Sequence, residues 1–289
     1  MKILSSSIKC LFAAMAICGS GNLMAEVVDF GAIQNGSSSI QRPGTVVWMD
    51  LLTDDVDSAA SFYEEVFDWQ FEFNSDRDYA YAKHEGRPVA AISAYDEEVG
   101  EAEGLWLASI AVNDIESAVT RVEESGGAII ESPEDLPGRG RYVLVADPTG
   151  AAVVLLRANG GDPERSEVNG RWLWAELWTD DVEKATDFYE QVVGYKTVAV
   201  KDTGGSVFQV MGRDNNPHVS VVLAPLPDVE PTWLPYLQVA DVDATARAIL
   251  KAGGAVLLPP QKDGFNADVA IVADPTGGVF ALQQKEGGK

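Results

Sequence analysis

A chain of 289 residues with 45 acidic and 21 basic side chains carries a formal charge of −24 at neutral pH. Such a surface repels nucleic-acid phosphates and anionic lipid headgroups, so no nucleic-acid partner is expected. Hydrophobic residues at 46% and charged residues at 23% mark a globular chain, long enough for two domains that each bury a core. The excess acid reads as solubility, or as life in a salty medium.

The first 25 residues differ in kind. Lys2 and Lys9 frame a short polar start without acid, and Cys10–Cys18 is an apolar run of signal-peptide length, too short to span a bilayer. Small residues lead to Leu23-Met24-Ala25, after which cleavage is expected. Residues 1–25 therefore read as a signal peptide, and the protein as exported, periplasmic or extracellular. The alternative is a lipid anchor through Cys18, although Ile17 before it is bulky for a lipoprotein signal. Both cysteines lie in this segment, so the mature chain is expected to hold neither disulfide nor reactive thiol. No other segment reads as transmembrane.

Residues 26–44, rich in Gly, Ser and Asn, read as a flexible tether. An internal repeat then begins. Trp48-Met49-Asp50-Leu51-Leu52-Thr53-Asp54-Asp55-Val56 answers to Trp174-Ala175-Glu176-Leu177-Trp178-Thr179-Asp180-Asp181-Val182, and Phe62-Tyr63 answers to Phe188-Tyr189, all 126 residues apart. Gly126-Gly127-Ala128 matches Gly253-Gly254-Ala255, and Asp147-Pro148-Thr149-Gly150 matches Asp274-Pro275-Thr276-Gly277, both 127 apart. A near-constant offset over the whole unit means duplication of a complete domain: residues 45–157 and 171–285, joined by a polar linker at 158–170.

Within the first copy, Thr45–Thr53 reads as a strand, and Asp55 as the cap of a helix with Ser58, Ala59, Phe62, Tyr63 and Val66 at helical spacing. Strands are predicted at Phe71–Asn74, Tyr79–His84 and Pro88–Tyr95. The acidic run Glu97–Glu103 reads as a solvated loop, since it lacks the spaced oxygen ligands of a calcium site. The pattern then restarts with a strand at Leu105–Val112, a cap at Asp114 and a helix closed by Gly126-Gly127. Strands at Ala128–Glu131, Arg141–Ala146 and Ala151–Arg157 follow, the last two joined by the Asp147-Pro148-Thr149-Gly150 turn. The fold class is α+β, with each domain made of two βαβββ modules.

Paired βαβββ modules, a first strand running into Asp-Asp-Val, a helix bearing Phe-Tyr and a terminal Asp-Pro-Thr-Gly hairpin resemble the vicinal oxygen chelate superfamily of glyoxalase-like and bleomycin-resistance-like proteins. The resemblance covers nearly the whole chain after residue 44 and implies two cup-shaped sheets. In the metal-using members, His, Glu or Gln side chains from the first and last strands of the modules hold a divalent ion that chelates two adjacent substrate oxygens. The corresponding positions here align to Trp48 and Trp174, Leu107 and Leu234, and Val154 and Ala281, none of which can ligate a metal. No metal ligand and no cofactor are therefore expected. His84 reads as exposed near a hairpin tip, and His218 as a strand residue.

Strand alternation puts Trp48, Asp50 and Leu52 on one face, with Val47, Met49 and Leu51 facing the helix. In the second copy Trp174, Glu176 and Trp178 share the cup side. Trp48, Asp50, Trp174, Glu176 and Trp178 are thus the candidate ligand-binding residues: an indole to stack on a planar ligand, a carboxylate to fix a donor or cation. The competing reading is that each Trp fills a collapsed cup. Phe62-Tyr63 and Phe188-Tyr189 read as core packing. Three functions stay open: a protein that binds a small molecule in one or both cups; a metal-dependent lyase, isomerase or dioxygenase with atypical ligands drawn from Asp50, Glu176 and His218; and a non-catalytic interaction scaffold. An oligomer is compatible with each.

Overall fold

The computed structural model of the protein describes residues 29–95, 104–165, 168–201, 207–213, 216–225, 229–263 and 267–284. The expected signal peptide, Cys10, Cys18 and the acidic loop at 97–103 lie outside the described residues. The first module comprises β1 (Val46–Thr53), α1 (Val56–Phe67), β2 (Gln70–Phe73), β3 (Tyr79–His84) and β4 (Arg87–Ala94). The second comprises β5 (Leu105–Ala111), α2 (Ile115–Glu124), β6 (Ala128–Leu136), β7 (Gly140–Ala146) and β8 (Ala152–Ala158). The other half repeats this with β9 (Trp172–Thr179), α3 (Val182–Val192), β10 (Lys196–Lys201), β11 (Val207–Arg213) and β12 (Asn216–Leu223). It ends with β13 (Thr232–Val239), α4 (Val242–Lys251), β14 (Ala255–Lys262), β15 (Asp268–Ala273) and β16 (Val279–Gln284). None of these helices is long and apolar enough to cross a membrane.

Each helix starts where an aspartate supplies the acceptor that the first turn lacks. Asp55, Asp114, Asp181 and Asp241 accept from the backbone N–H groups of Ser58, Ser117, Lys184 and Ala244 at 2.7–3.0 Å. Each half forms one curved eight-stranded sheet, ordered β2-β3-β4-β1-β5-β8-β7-β6 and β10-β11-β12-β9-β13-β16-β15-β14. The modules join where the antiparallel pairs β1/β5 and β9/β13 meet.

Strict alternation fails at one place in each joining pair. The register slips between Val46 and Trp48, and between Trp172 and Trp174. A bulge adds a residue and re-aims its neighbours, so Val47 joins Trp48 in the cup cluster instead of facing the helix. Leu173 likewise packs with Trp174 on the cup side.

The two domains do not bury separate helical-face cores. Met49, Leu51, Phe62 and Tyr63 belong to one continuous apolar cluster with Leu177, Phe188, Tyr189 and Phe280. The helical faces of the two sheets meet, α1 packing on α4 and α2 on α3. Repeated motifs interlock across this seam. Tyr63 donates to Asp274 Oδ2 at 2.7 Å and receives the Trp106 indole N–H at 3.1 Å. Tyr189 does the same with Asp147 Oδ2 (3.1 Å) and Trp233 (3.0 Å). A Cβ on Gly127 would stand 2.7 Å from the Phe188 ring, and one on Gly254 would stand 3.0 Å from Phe62. The second glycine of each pair thus leaves room for the other domain's phenylalanine.

Candidate functional site

The outer faces of the two sheets form the cups, and the copies have diverged there. In the first cup, Asp50 on β1 is 1% exposed and pairs with the guanidinium of Arg139 at 2.8 Å. Trp48 donates its indole N–H to the same carboxylate oxygen at 2.9 Å and stacks on Tyr81. Burial disfavours the Arg139 charge, but the adjacent Asp50 carboxylate together with Tyr79 and Tyr81 more than offsets this, and its pKa is raised.

This cup is occupied by its own chain. Residues 29–44, expected to be part of a flexible tether, instead lie against the domain, with Phe30 and Ile33 buried among Trp48, Leu52, Tyr79 and Tyr81. The Phe30 carbonyl accepts from Tyr79 Oη at 2.7 Å and from Arg139 Nη2 at 2.9 Å. Of the segment's three large apolar residues, Phe30 and Ile33 leave water, a gain of roughly 1.5–3 kcal/mol each when fully buried, while Ile40 stays exposed. Further along, Ser38 bonds Gly160, and Arg42 bonds the buried Asp162, so the linker clamps this segment.

The second cup holds a carboxylate with no cation bonded to it among the described residues. Glu176 on β9 is buried, and its three hydrogen-bond donors are neutral. Trp178 Nε1 and Tyr236 Oη reach Oε1 at 2.9 and 3.1 Å, and Ser220 Oγ reaches Oε2 at 2.6 Å. Burial raises the Glu176 pKa against the pull of these donors. A carboxylate has about four acceptor positions, so Oε2 keeps one for another donor. Trp174 lies beside it, bonded to Gln283 at 3.0 Å and packed on the Tyr236 ring at 4.8 Å. Trp48 is 3% exposed, whereas its counterpart Trp174 is only partly buried.

All five candidate residues thus line cups, as two separate groups: Trp48 with Asp50, and Trp174 with Glu176 and Trp178. The pairing register replaces one inference about the aligned positions. Ser109 and Tyr236, not Leu107 and Leu234, stand directly across from Trp48 and Trp174, and Val154 and Ala281 continue those rows. The rows Trp48–Ser109–Val154 and Trp174–Tyr236–Ala281 offer no imidazole or carboxylate. An indole N–H donates and presents no lone pair to a metal. Among the described residues, no three His, Cys, Asp or Glu side chains come together as a metal site. The residues at these positions do not fit the divalent ion of the family's metal-using members.

The histidines lie elsewhere. His84 is not an exposed hairpin residue: its ring packs on Gly170, where a Cβ would meet it at 3.0 Å. His218 stacks on Tyr195 and lines a cleft between the halves with Arg171, Trp172 and Trp174. Arg139, Tyr79, Ser220 and Tyr236 escaped sequence reasoning. The one available signal was the repeat itself, since Leu105-Trp106-Leu107 and Thr232-Trp233-Leu234 stand 127 residues apart and fix the register of Ser109 and Tyr236.

Residues 45–155 and 171–282 each match the Glyoxalase/Bleomycin resistance protein/Dioxygenase superfamily. The chain is 34% identical over 250 residues to the putative glyoxylase CFP32 of Mycobacterium tuberculosis, covering 83% of this chain and 95% of that protein. It is 33% identical over 261 residues to the anthracycline biosynthesis protein DauV of Streptomyces sp. strain C5, covering 83% and 93%. Among solved structures it is similar to the Mn(II)-bound glyoxalase of Novosphingobium aromaticivorans, with a TM-score of 0.60 at 16% identity over 85% of this chain and 83% of that one. It is also similar to the 2,3-dioxygenase LapB of Pseudomonas sp. KL28, with a TM-score of 0.61 at 13% identity over 86% and 93%. At those identities the structural likeness concerns the fold.

Proposed function

The chain belongs to the glyoxalase/bleomycin resistance protein/dioxygenase superfamily, and within it we propose that this protein binds a planar small molecule in its second cup without a metal. The observation that carries this reading is the contrast between the cups. The first is filled by Phe30 and Ile33, while the second presents a partly exposed Trp174 next to a buried Glu176 with one acceptor position to spare. Trp174 and Tyr236 supply flat apolar surface for stacking. Glu176 supplies directionality, because a ligand N–H or O–H placed against Oε2 completes its hydrogen bonding. Burial also raises its pKa, which eases proton exchange with such a group. Residues 1–25 support export, so the ligand is taken to be met outside the cytoplasm.

The test is tryptophan fluorescence titration of the purified chain against a library of planar heteroaromatic donors, with Trp174→Leu and Glu176→Gln as controls. A saturable change that both variants weaken at least tenfold supports the reading. Hits insensitive to both variants would place binding elsewhere. Elemental analysis of the same preparation bears on the metal-free part, and a stoichiometric, tightly held transition metal would overturn it.

A further inference from the structure

We propose that the first cup is a second ligand site, for compounds with an aromatic ring beside an amide or ketone carbonyl, which residues 29–33 keep closed as a built-in occupant. The contacts to Phe30 are those of a recognised ligand. Its ring meets Tyr79 edge-on at 5.4 Å, and the Arg139 guanidinium lies between the faces of Phe30 and Trp48, 5.9 and 4.8 Å from the ring centroids. Its carbonyl receives two donors, Tyr79 Oη and Arg139 Nη2, and Tyr79 and Arg139 also bond each other at 2.8 Å. Asp50 fixes the guanidinium in that position. On either side the main chain is read as well: Phe30 N–H donates to the Pro137 carbonyl at 3.0 Å, and Tyr81 donates to the Ala32 carbonyl.

Two features separate a closed binding site from mere filler. A buried ion pair is a poor way to stabilise a core, since apolar residues of the same volume do as well or better. Here the pair is directed at a carbonyl oxygen. The second cup, moreover, carries its buried carboxylate without such a pair among the described residues, so the repeated fold offers no general need for one. The segment is also arranged to leave. Gly36 has a left-handed φ of 74° with open space around it; Gln34 and Asn35 just before it donate to the Gly160 and Gly86 carbonyls, and the Ser38–Gly160 and Arg42–Asp162 clamps lie beyond it. Residues 29–33 can leave the cup by giving up the two side-chain bonds of Gln34 and Asn35, while the chain from Ser38 onward stays anchored.

The test uses the full chain with the occupant unseated. Gly31 has φ 70°, and a Cβ there would stand 2.5 Å from the Tyr81 ring, so Gly31→Val expels the segment while leaving the floor residues Asp50, Arg139, Trp48 and Tyr79 unchanged. The double substitution Phe30→Ser/Ile33→Ser removes the occupant's side chains instead and serves if the first variant does not fold. The probes are the acetylated heptapeptide spanning residues 29–35 and N-acetyl-L-phenylalaninamide, titrated by calorimetry in a Trp174→Leu background that disables the second cup. Both variants are expected to bind the peptide at least tenfold more tightly than the chain with its own segment seated, with the amide competing for the site. A peptide carrying Ser in place of its phenylalanine is expected to bind at least tenfold more weakly. Failure of a folded variant to bind either probe, or equal affinity of the Ser peptide, would overturn the proposal. So would equal binding by the chain with its segment in place.

Discussion

Replacing Asp50 by Asn probes the floor of the first cup without changing its shape. The amide keeps the volume and one acceptor for the Trp48 indole, but it removes the negative charge bonded to Arg139. The two groups are 1% and 2% exposed and 2.8 Å apart. At a charge separation near 4 Å and an effective dielectric of 20, their attraction is about 4 kcal/mol. Breaking a buried pair on one side costs about 3–5 kcal/mol, since it strands the other charge. Asp50→Asn is therefore expected to lower unfolding free energy by about 3–4 kcal/mol, read as a lower urea midpoint at unchanged slope. Asp50→Leu combined with Arg139→Met removes both charges. The Tyr79-to-Phe30 carbonyl bond at 2.7 Å survives in that double variant, but the Trp48 indole N–H loses its acceptor and the Arg139 bonds to the Phe30 carbonyl and Tyr79 are gone, so the double variant should be more stable than Asp50→Asn while staying below the parent. A midpoint unmoved by Asp50→Asn, or a double variant as unstable as the single one, would refute this account.

The equivalent substitution in the second cup has the opposite sign. Burial raises the Glu176 pKa above its ordinary 4.5, so its stabilising contribution is fully present below that value and is lost as pH rises through the folded-state value. Glu176→Gln removes this loss. Relative to the parent, its stability should rise with pH above 4.5, by about 1.4 kcal/mol per pH unit between the unfolded and folded pKa of Glu176, and parallel curves in denaturant melts across pH would contradict this. Tyr63→Phe takes the hydroxyl from Asp274 Oδ2 and the Trp106 indole, leaving two buried groups short of a partner at about 1–3 kcal/mol each. Calorimetry should show a lower, still single transition, and two separate transitions in the parent would refute the shared core. Gly127→Ala sets a Cβ 2.7 Å from the Phe188 ring and 2.9 Å from the Ala146 carbonyl, an overlap expected to cost about 1–3 kcal/mol by the same assay.

The duplication, the modules and the aspartate caps were readable because each is a local or periodic signal. Asp55 and Asp181 sit just before an apolar helical stripe, and the 126–127-residue offset needs no geometry at all. The cup strands were readable only up to the bulges. Alternation assigns Val47 to the helix face, whereas the register slip at that residue turns it to the cup, and nothing in Val46-Val47-Trp48 announces the slip. Phe30 and Ile33 were hidden because a pair of apolar residues in a Gly/Ser-rich stretch has no period from which burial can be inferred. Arg139 was hidden for a related reason: it lies in the Pro137-Gly138-Arg139-Gly140 turn, where side-chain direction is set by turn geometry and not by spacing.

What the two copies share and where they differ then assigns work to each face. Phe62/Phe188, Tyr63/Tyr189, Trp106/Trp233, Gly127/Gly254 and Asp147/Asp274 are identical pairs, and all of them meet at the seam. A change in one copy there must be matched by a different motif of the other copy, because each tyrosine binds the opposite domain's aspartate. The cup faces carry no such reciprocal constraint. Ala91 and Ser220, Ser109 and Tyr236, Leu52 and Trp178, and Leu156 and Gln283 occupy equivalent positions in the pairing registers. Each of the second-cup residues bonds Glu176 or its neighbour Trp174. Ser220 and Trp178 donate to the carboxylate, Gln283 accepts from the Trp174 indole, and Tyr236 donates to Glu176 while packing on the Trp174 ring. Those changes turn an acid balanced by Arg139 in one copy into an acid balanced by neutral donors in the other. The repeated motifs that reveal the duplication therefore hold the protein together, and the proposed ligand binding would draw its selectivity from the residues by which the two copies differ.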